Sequence, residues 1–183
     1  MTRTANFQAL RRAVIAASVG DRWKNAVLEW EVSSVEEHPT SDGECVCGQT
    51  NLLWMFTIEN TLNGNHLFPI GSSCVNHFER ADLNQQVSVL RRLVTLRSAA
   101  RKGERITVDK EWFSRATFDY LLESGAFTPD QYNHGDGYYD WEFLRKVFGK
   151  RDKGDLSPKQ LYRARMLVQN KIVPFVLNDT KIR

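Results

Sequence analysis

The sequence predicts an α+β fold: a small antiparallel β unit near the N-terminus packed on a mainly α-helical C-terminal half. Three observations lead there. Two short β-prone runs flank Asn63-Gly64, the dipeptide favoured in tight hairpins. Beyond residue 82, apolar side chains recur at helical spacing. The composition, 42% hydrophobic and 26% charged, suffices for a packed core and is too balanced for a disordered chain.

Residues 4–18 form an Ala-rich helical stretch. Asp21 is placed to cap a second helix, in which Trp23, Ala26, Val27 and Trp30 share a face. From Leu28 the pattern alternates through Trp30, Val32 and Val35, which predicts a strand. Pro39 to Gly43 is a loop. Leu52 to Ile58 and His66 to Ile70 are the two strands of the hairpin, and a short helix follows around Cys74 to Glu79.

In residues 82–100, Leu83, Val87, Leu90 and Val94 make one stripe, with Arg91, Arg92 and Lys102 pointing away from it. Arg105 to Val108 reads as a short strand or an extended link. Asp109 is placed to cap a helix that runs to Glu123 and stops at Gly125. Thr128-Pro-Asp caps another turn, residues 133–137 are a loop, and Tyr138 to Val147 is helical. Ser157 and Pro158 open the last helix, whose buried side holds Leu161, Ala164, Val168, Ile172 and Phe175. Pro174 should end or kink it.

The net charge of +3 hides strong patterning. Residues 91–105 carry +5, residues 106–142 carry −6, and residues 143–171 return to +7. Patches of this kind hold a phosphate backbone, dock an acidic protein, or line solvated helix faces. No apolar run approaches the ~20 residues that span a bilayer, and the short Ala-rich patch at 13–17 does not make a secretory signal. No membrane association is expected. Three cysteines are too few, and odd in number, for a disulfide framework, so a reducing, cytoplasmic setting is expected.

The cysteines carry the strongest chemical signal. Cys45-Val-Cys47-Gly48 precedes the hairpin and Cys74-Val-Asn-His77 follows it, so two backbone knuckles lie at one end of the sheet. Thiolates kept free in a reducing compartment suit Zn²⁺, which takes mixed sulfur and nitrogen ligands in a closed tetrahedron. Cys45, Cys47 and Cys74 are the expected ligands of a structural zinc in a zinc-ribbon-like unit. His77 is the first choice for the fourth position, followed by His66 and His38. Residues 1–81 then make an N-terminal helix plus metal-binding hairpin unit, and residues 82–183 an α-helical unit of basic and acidic patches.

The run Glu44-Cys-Val-Cys-Gly48, Phe56 to Asn60 and Leu67-Phe-Pro-Ile-Gly-Ser-Ser-Cys-Val-Asn-His-Phe78 resembles a bacterial protein group found in Gram-positive genomes, prophages and plasmids. Trp112 to Arg115, Gly125 to Phe127 and Leu156 to Gln160 extend the resemblance over residues 20–176. It implies a metal site and a mobile-element setting, and no reaction, because the group has no assigned activity.

Other constellations are weaker. His134, Asp136, Asp140 and Glu142 gather carboxylates beside a Gly-rich loop, as a hard-metal nuclease site would. Asp140 and Glu142 do not share a helical face, and Asp140 serves equally as a cap. There is no Walker loop and no Gly-x-Gly-x-x-Gly. Enzymatic activity is not expected. The favoured expectation is a nucleic-acid-binding accessory protein, with phosphate contacts from Arg91, Arg92, Arg97, Arg101, Lys102, Lys150, Arg151, Lys153 and Arg163. The alternative is an anti-CRISPR-like inhibitor or adaptor that binds a host nucleic-acid-binding protein through the acidic 106–142 stretch.

Overall fold

The computed structural model describes residues 3–182 and has the expected α+β class. The chain divides into two compact units, Met1–Arg91 with Thr180–Arg183, and Arg92–Asp179. The expected boundary at 81/82 coincides with the start of a long helix, and the units part within that helix.

In the first unit, α1 (Arg3–Ala17) and the short α2 (Trp23–Ala26) lead through a 3₁₀ turn into β1 (Trp30–Glu37). Strands β2 (Trp54–Asn60) and β3 (His66–Ile70) complete a three-stranded antiparallel sheet of order β1-β2-β3. Trp30, Val35, Phe56, Ile58 and Ile70 are fully buried, with Leu10 and Val14 of α1. The alternation read along 30–35 is interrupted by a bulge between Val32 and Ser34, which returns Val35 to the buried side. Val35 N–H donates to the Lys181 carbonyl at 2.9 Å, so the C-terminal residues cover part of the β1 edge.

Two local expectations are corrected here. Asp21 does not cap α2: Arg22 stands at its N-cap without a side-chain hydrogen bond, and the helix is a single turn. The hairpin loop spans residues 61–65 rather than two residues. Asn60 Oδ1 accepts from Leu62 N–H (2.9 Å) and Asn63 N–H (3.2 Å), and this Asx-type turn outcompetes the two-residue alternative.

α3 (Ser72–Asn76) follows β3 and ends sooner than the expected Glu79, which takes a left-handed φ of 54°. The long helix α4 (Ala81–Arg101) then carries the chain into the second unit.

The second unit comprises the end of α4, α5 (Arg115–Glu123), α6 (Tyr138–Gly149), α7 (Pro158–Leu167), a π-helical turn over Val168–Ile172, and α8 (Val173–Asn178). Leu93, Leu96, Phe113, Phe118, Leu121 and Leu144 are among its fully buried large side chains, and Phe113 stacks on Phe118 at 4.8 Å. The helix expected from Asp109 begins only at Arg115. Asp109 instead accepts from Glu111 N–H in a local turn, and Ser114 caps α5 through Thr117 N–H (3.1 Å). No strand forms at 105–108. Ser157 and Gln160 form a reciprocal capping box at α7, with Pro158 in the first turn.

Pro174 does not end the last helix: after a turn of π geometry over Val168–Ile172, α8 carries the helical run through Pro174 to Asn178. Leu161, expected on the buried side, is 48% exposed.

Candidate metal centre and basic cleft

Local backbone chemistry builds the cysteine cluster. Cys45 to Gly48 is a tight turn closed by Gly48 N–H to the Cys45 carbonyl at 2.7 Å. Gly48 has φ +82°, a left-handed value that a side chain would strain. Val46 N–H donates to the Pro69 carbonyl (2.9 Å), which ties the turn to β3. Gly71 leads into α3, where Cys74 N–H donates to the Gly71 carbonyl (2.9 Å). The two knuckles meet at one end of the sheet, as the order of the segments predicts.

Cys45, Cys47 and Cys74 are all buried, with their sulfurs within 4.8 Å of one another. Cys74 Sγ lies 3.4 Å from Cys45 Sγ and 3.2 Å from Cys47 Sγ. Gly71 N–H donates to Cys45 Sγ at 3.4 Å. Cys45 is pulled down to about 6, first by its hydrogen bond with Cys74, against the cost of burial, with backbone N–H support from Cys47 and Gly71. Cys74 is pushed upward, first by that same hydrogen bond and then by burial, and burial likewise raises Cys47. Three adjacent buried thiols thus yield one ready thiolate and two reluctant ones. A cation among them favours the thiolate form of all three, opposing the upward shifts of Cys47 and Cys74, and a set of soft sulfur donors fits a metal ion.

The histidines stand elsewhere. His77, expected as the fourth ligand, is exposed and leans on Phe7 of α1, with ring centroids 5.0 Å apart. Phe7 also meets Trp23, and Trp23 meets Phe78, so the ring belongs to an aromatic cluster rather than to the sulfurs. His66 pairs with Glu59 at 3.4 Å, and His38 pairs with Asp42. Among the described residues, the three cysteines alone form a group with metal-ligand geometry.

The nine basic residues expected at phosphates fare unequally. Arg92 donates to the carbonyls of Lys110 (3.1 Å) and Glu111 (3.0 Å), which braces the loop after α4. Arg97 is buried. Lys153 donates to the carbonyls of Val147 (2.6 Å) and Phe148 (3.2 Å) at the end of α6. Arg163 pairs with Asp140 at 3.2 Å and covers the Phe143 ring at 4.4 Å. Arg91 lies over the Trp54 ring at 5.7 Å. Within the fold, then, Arg92 and Lys153 hold backbone carbonyls, Arg97 is buried and Arg163 is paired with Asp140 while still exposed. Arg101, Lys102, Lys150 and Arg151 remain exposed; Lys102 has only a 4.0 Å contact with Glu104.

A cleft of ≈ 710 Å³ lies within the second unit. Its walls come from the 100–109 segment, the 147–156 segment, α7 and the π-helical turn. Arg105 and Arg165 line it and make no ion pair among the described residues. Arg165 escaped the sequence expectation, although Tyr162, Arg165 and Gln169 share one helical face by their spacing of three and four residues, a signal available in advance.

The His134 to Glu142 carboxylates do not converge into a catalytic site. Asp140 is only 2% exposed and is consumed by Lys171 (2.7 Å), Asn133 (2.8 Å) and Arg163. Asp136 accepts from Tyr138 N–H (2.8 Å), and Glu142 pairs with Lys146 (2.9 Å). Gly137 is demanded sterically, since a Cβ there would overlap the Phe127 carbonyl. No helix is long and apolar enough to cross a membrane. Comparison with protein-family models, curated proteins and solved structures returns no match to this chain.

Proposed function

We propose that the protein is a small zinc-stabilised nucleic-acid-binding accessory protein of a phage or other mobile element, acting by binding rather than catalysis. One observation carries this reading: exposed arginines from two distant stretches, Arg105 and Arg165, line one cleft together with Lys153. Such an arrangement neutralises several phosphates at once and makes binding salt-dependent. The metal component rests on the three buried cysteines. Zinc at ~2.3 Å from each thiolate in a tetrahedron sets sulfurs roughly 3.8 Å apart, close to the 3.2 and 3.4 Å separations here. The ion would join the Cys45–Gly48 knuckle to α3 and supply a purely structural contact.

The test is a salt series of oligonucleotide binding on the intact chain, with zinc quantified in the same sample. Binding through three or four phosphates gives a slope of log K against log salt of roughly −3. Arg105→Glu combined with Arg165→Glu should abolish binding and leave the circular dichroism spectrum unchanged. Salt-independent or absent binding overturns the proposal.

A second reading has one observation in its favour. Tyr132 is 79% exposed, and Tyr138 and Tyr139 stand exposed on the same acidic loop region. Exposed aromatics beside carboxylates suit anchors for a basic protein partner, as in an anti-CRISPR-like inhibitor. A stoichiometric complex with a nuclease, lost in Tyr132→Ala with Tyr139→Ala, together with no oligonucleotide binding, would favour it.

A further inference from the structure

The cleft of the second unit differs from a flat phosphate-binding face. Its floor is apolar, with Ile106, Val108, Leu156 and Val168 buried behind it. Its edge leaves two large side chains in water, Leu161 at 48% and Tyr162 at 67% exposure. One wall is the π-helical turn, a widened geometry often found at functional sites, which brings the exposed amide of Gln169 to the cleft beside Val168. The lining cations are Arg105, Arg165 and the carbonyl-bound Lys153; the lining anions are Glu104 and Asp109. Asp109 is occupied by Thr107 and by Glu111 N–H, and Glu104 faces Lys102.

From this we infer that the cleft accepts one unstacked base of single-stranded nucleic acid. The apolar floor and Tyr162 take the ring face, Gln169 meets the base edge, and Arg105 and Arg165 hold the neighbouring phosphates. A duplex keeps its bases stacked inside and can offer only its backbone to the rim, so the apolar floor would stay empty. Base stacking on an aromatic side chain tolerates any sequence, because every base has a π face. This inference rests on the nucleic-acid reading above and narrows it to a class of strand.

The test compares fluorescence anisotropy of the zinc-loaded full chain with a labelled single-stranded oligonucleotide, the matching duplex, and an abasic single strand of equal phosphate count. Single strand should bind at least about fivefold tighter than either of the other two, the gain expected from one stacked base. Tyr162→Ala should remove most of that advantage and leave duplex binding in place; its side chain is exposed, so folding is not at stake. Arg165→Glu should weaken all three probes. Equal affinity for single strand and duplex, or an unchanged preference in Tyr162→Ala, overturns the base pocket while the salt-dependent duplex binding keeps the broader proposal standing. An acidic peptide of equal charge competing as well as the oligonucleotide overturns it too, because it brings no base. Absence of binding to every probe removes both.

Discussion

Replacing Lys171 by Met should destabilise the second unit by about 3 kcal/mol. Lys171 Nζ sits 2.7 Å from Asp130, 2.7 Å from Asp140 and 2.6 Å from the Thr128 carbonyl, with the residue 9% exposed. Breaking a buried pair by removing one partner costs roughly 3–5 kcal/mol, because the charge left behind stays out of water. The lower end applies here. Asp140 would keep Asn133 (2.8 Å) and Arg163 (3.2 Å), the Thr128 carbonyl would keep Asn133 (3.0 Å), and the partly exposed Asp130 can turn to solvent. Removing both partners, Lys171→Met with Asp140→Leu, should cost less than the sum of the single changes, since the charges left over, Asp130 and Arg163, reach solvent and no buried one is orphaned. Urea denaturation gives the free energies, and amide exchange in α6 and α7 localises the effect. The pH dependence follows the same logic. Burial lowers Lys171, but Asp130 and then Asp140 more than offset it, so the folded value is raised. Its contribution is present below the unfolded lysine value and lost as pH rises through the folded one. Asp130 is held below its ordinary value, first by Lys171, so its contribution is lost as pH falls through the folded value. A cost under about 1 kcal/mol for Lys171→Met would refute the claim that this network fastens the 128–140 loop to the last helix.

Three further outcomes are expected. Purified protein should carry about one equivalent of zinc; Cys47→Ser should lose it with a large fall in melting temperature, whereas His77→Ala should retain it, by elemental analysis and thermal melts. Glu29 accepts from Val19 N–H (2.8 Å), Gly20 N–H (2.7 Å) and Asn60 (2.6 Å); burial opposes its ionisation, but these bonds outweigh it and hold the carboxyl low. Its stabilisation is therefore present above the unfolded value and fades as pH falls through the folded one, and Glu29→Gln should cost about 2 kcal/mol near neutrality and flatten the acid side of a stability–pH profile. Ser157→Ala, which opens the α7 capping box, should cost about 1 kcal/mol by urea denaturation.

The elements with strong local chemistry were legible in advance. β2 and β3 flank their turn, Ser157 caps α7, and the two cysteine knuckles converge because a hairpin between them leaves their ends together. What escaped depended on competition. Asp109 and Ser114 both carry capping side chains, and Thr117 N–H decides for Ser114. His77 has ligand spacing from Cys74, yet Phe7, seventy residues earlier in the chain, supplies the ring contact that holds it away. Leu161 fits an apolar stripe, but the cleft beneath it is left unfilled by the chain. In each case the deciding partner is remote in sequence, or is an atom of the backbone, and neither is written into local periodicity.

The same distinction bears on the choice between partners. The −6 of residues 106–142 suggests a surface that imitates nucleic acid, and the +7 of residues 143–171 one that binds it. The structure spends much of each block on the other. Asp119 pairs with Arg145 at 2.9 Å, Asp140 with Arg163, and Asp130 and Asp140 both with Lys171, every pair crossing from the acidic block to the basic one. Charge that is paired in this way offers little field to an external partner. An acidic mimic would therefore have to work mainly with Asp109, Glu111, Glu123 and Asp136, which make no ion pair among the described residues. Within residues 91–105, Arg92 is bound to neutral carbonyls, which fix its position without cancelling its charge, and Arg101, Lys102 and Arg105 are exposed, with Glu104 the one acidic residue of the block. Arg105 and Arg165, which make no ion pair among the described residues, line the cleft, and under the proposed reading this positive lining favours an anionic partner.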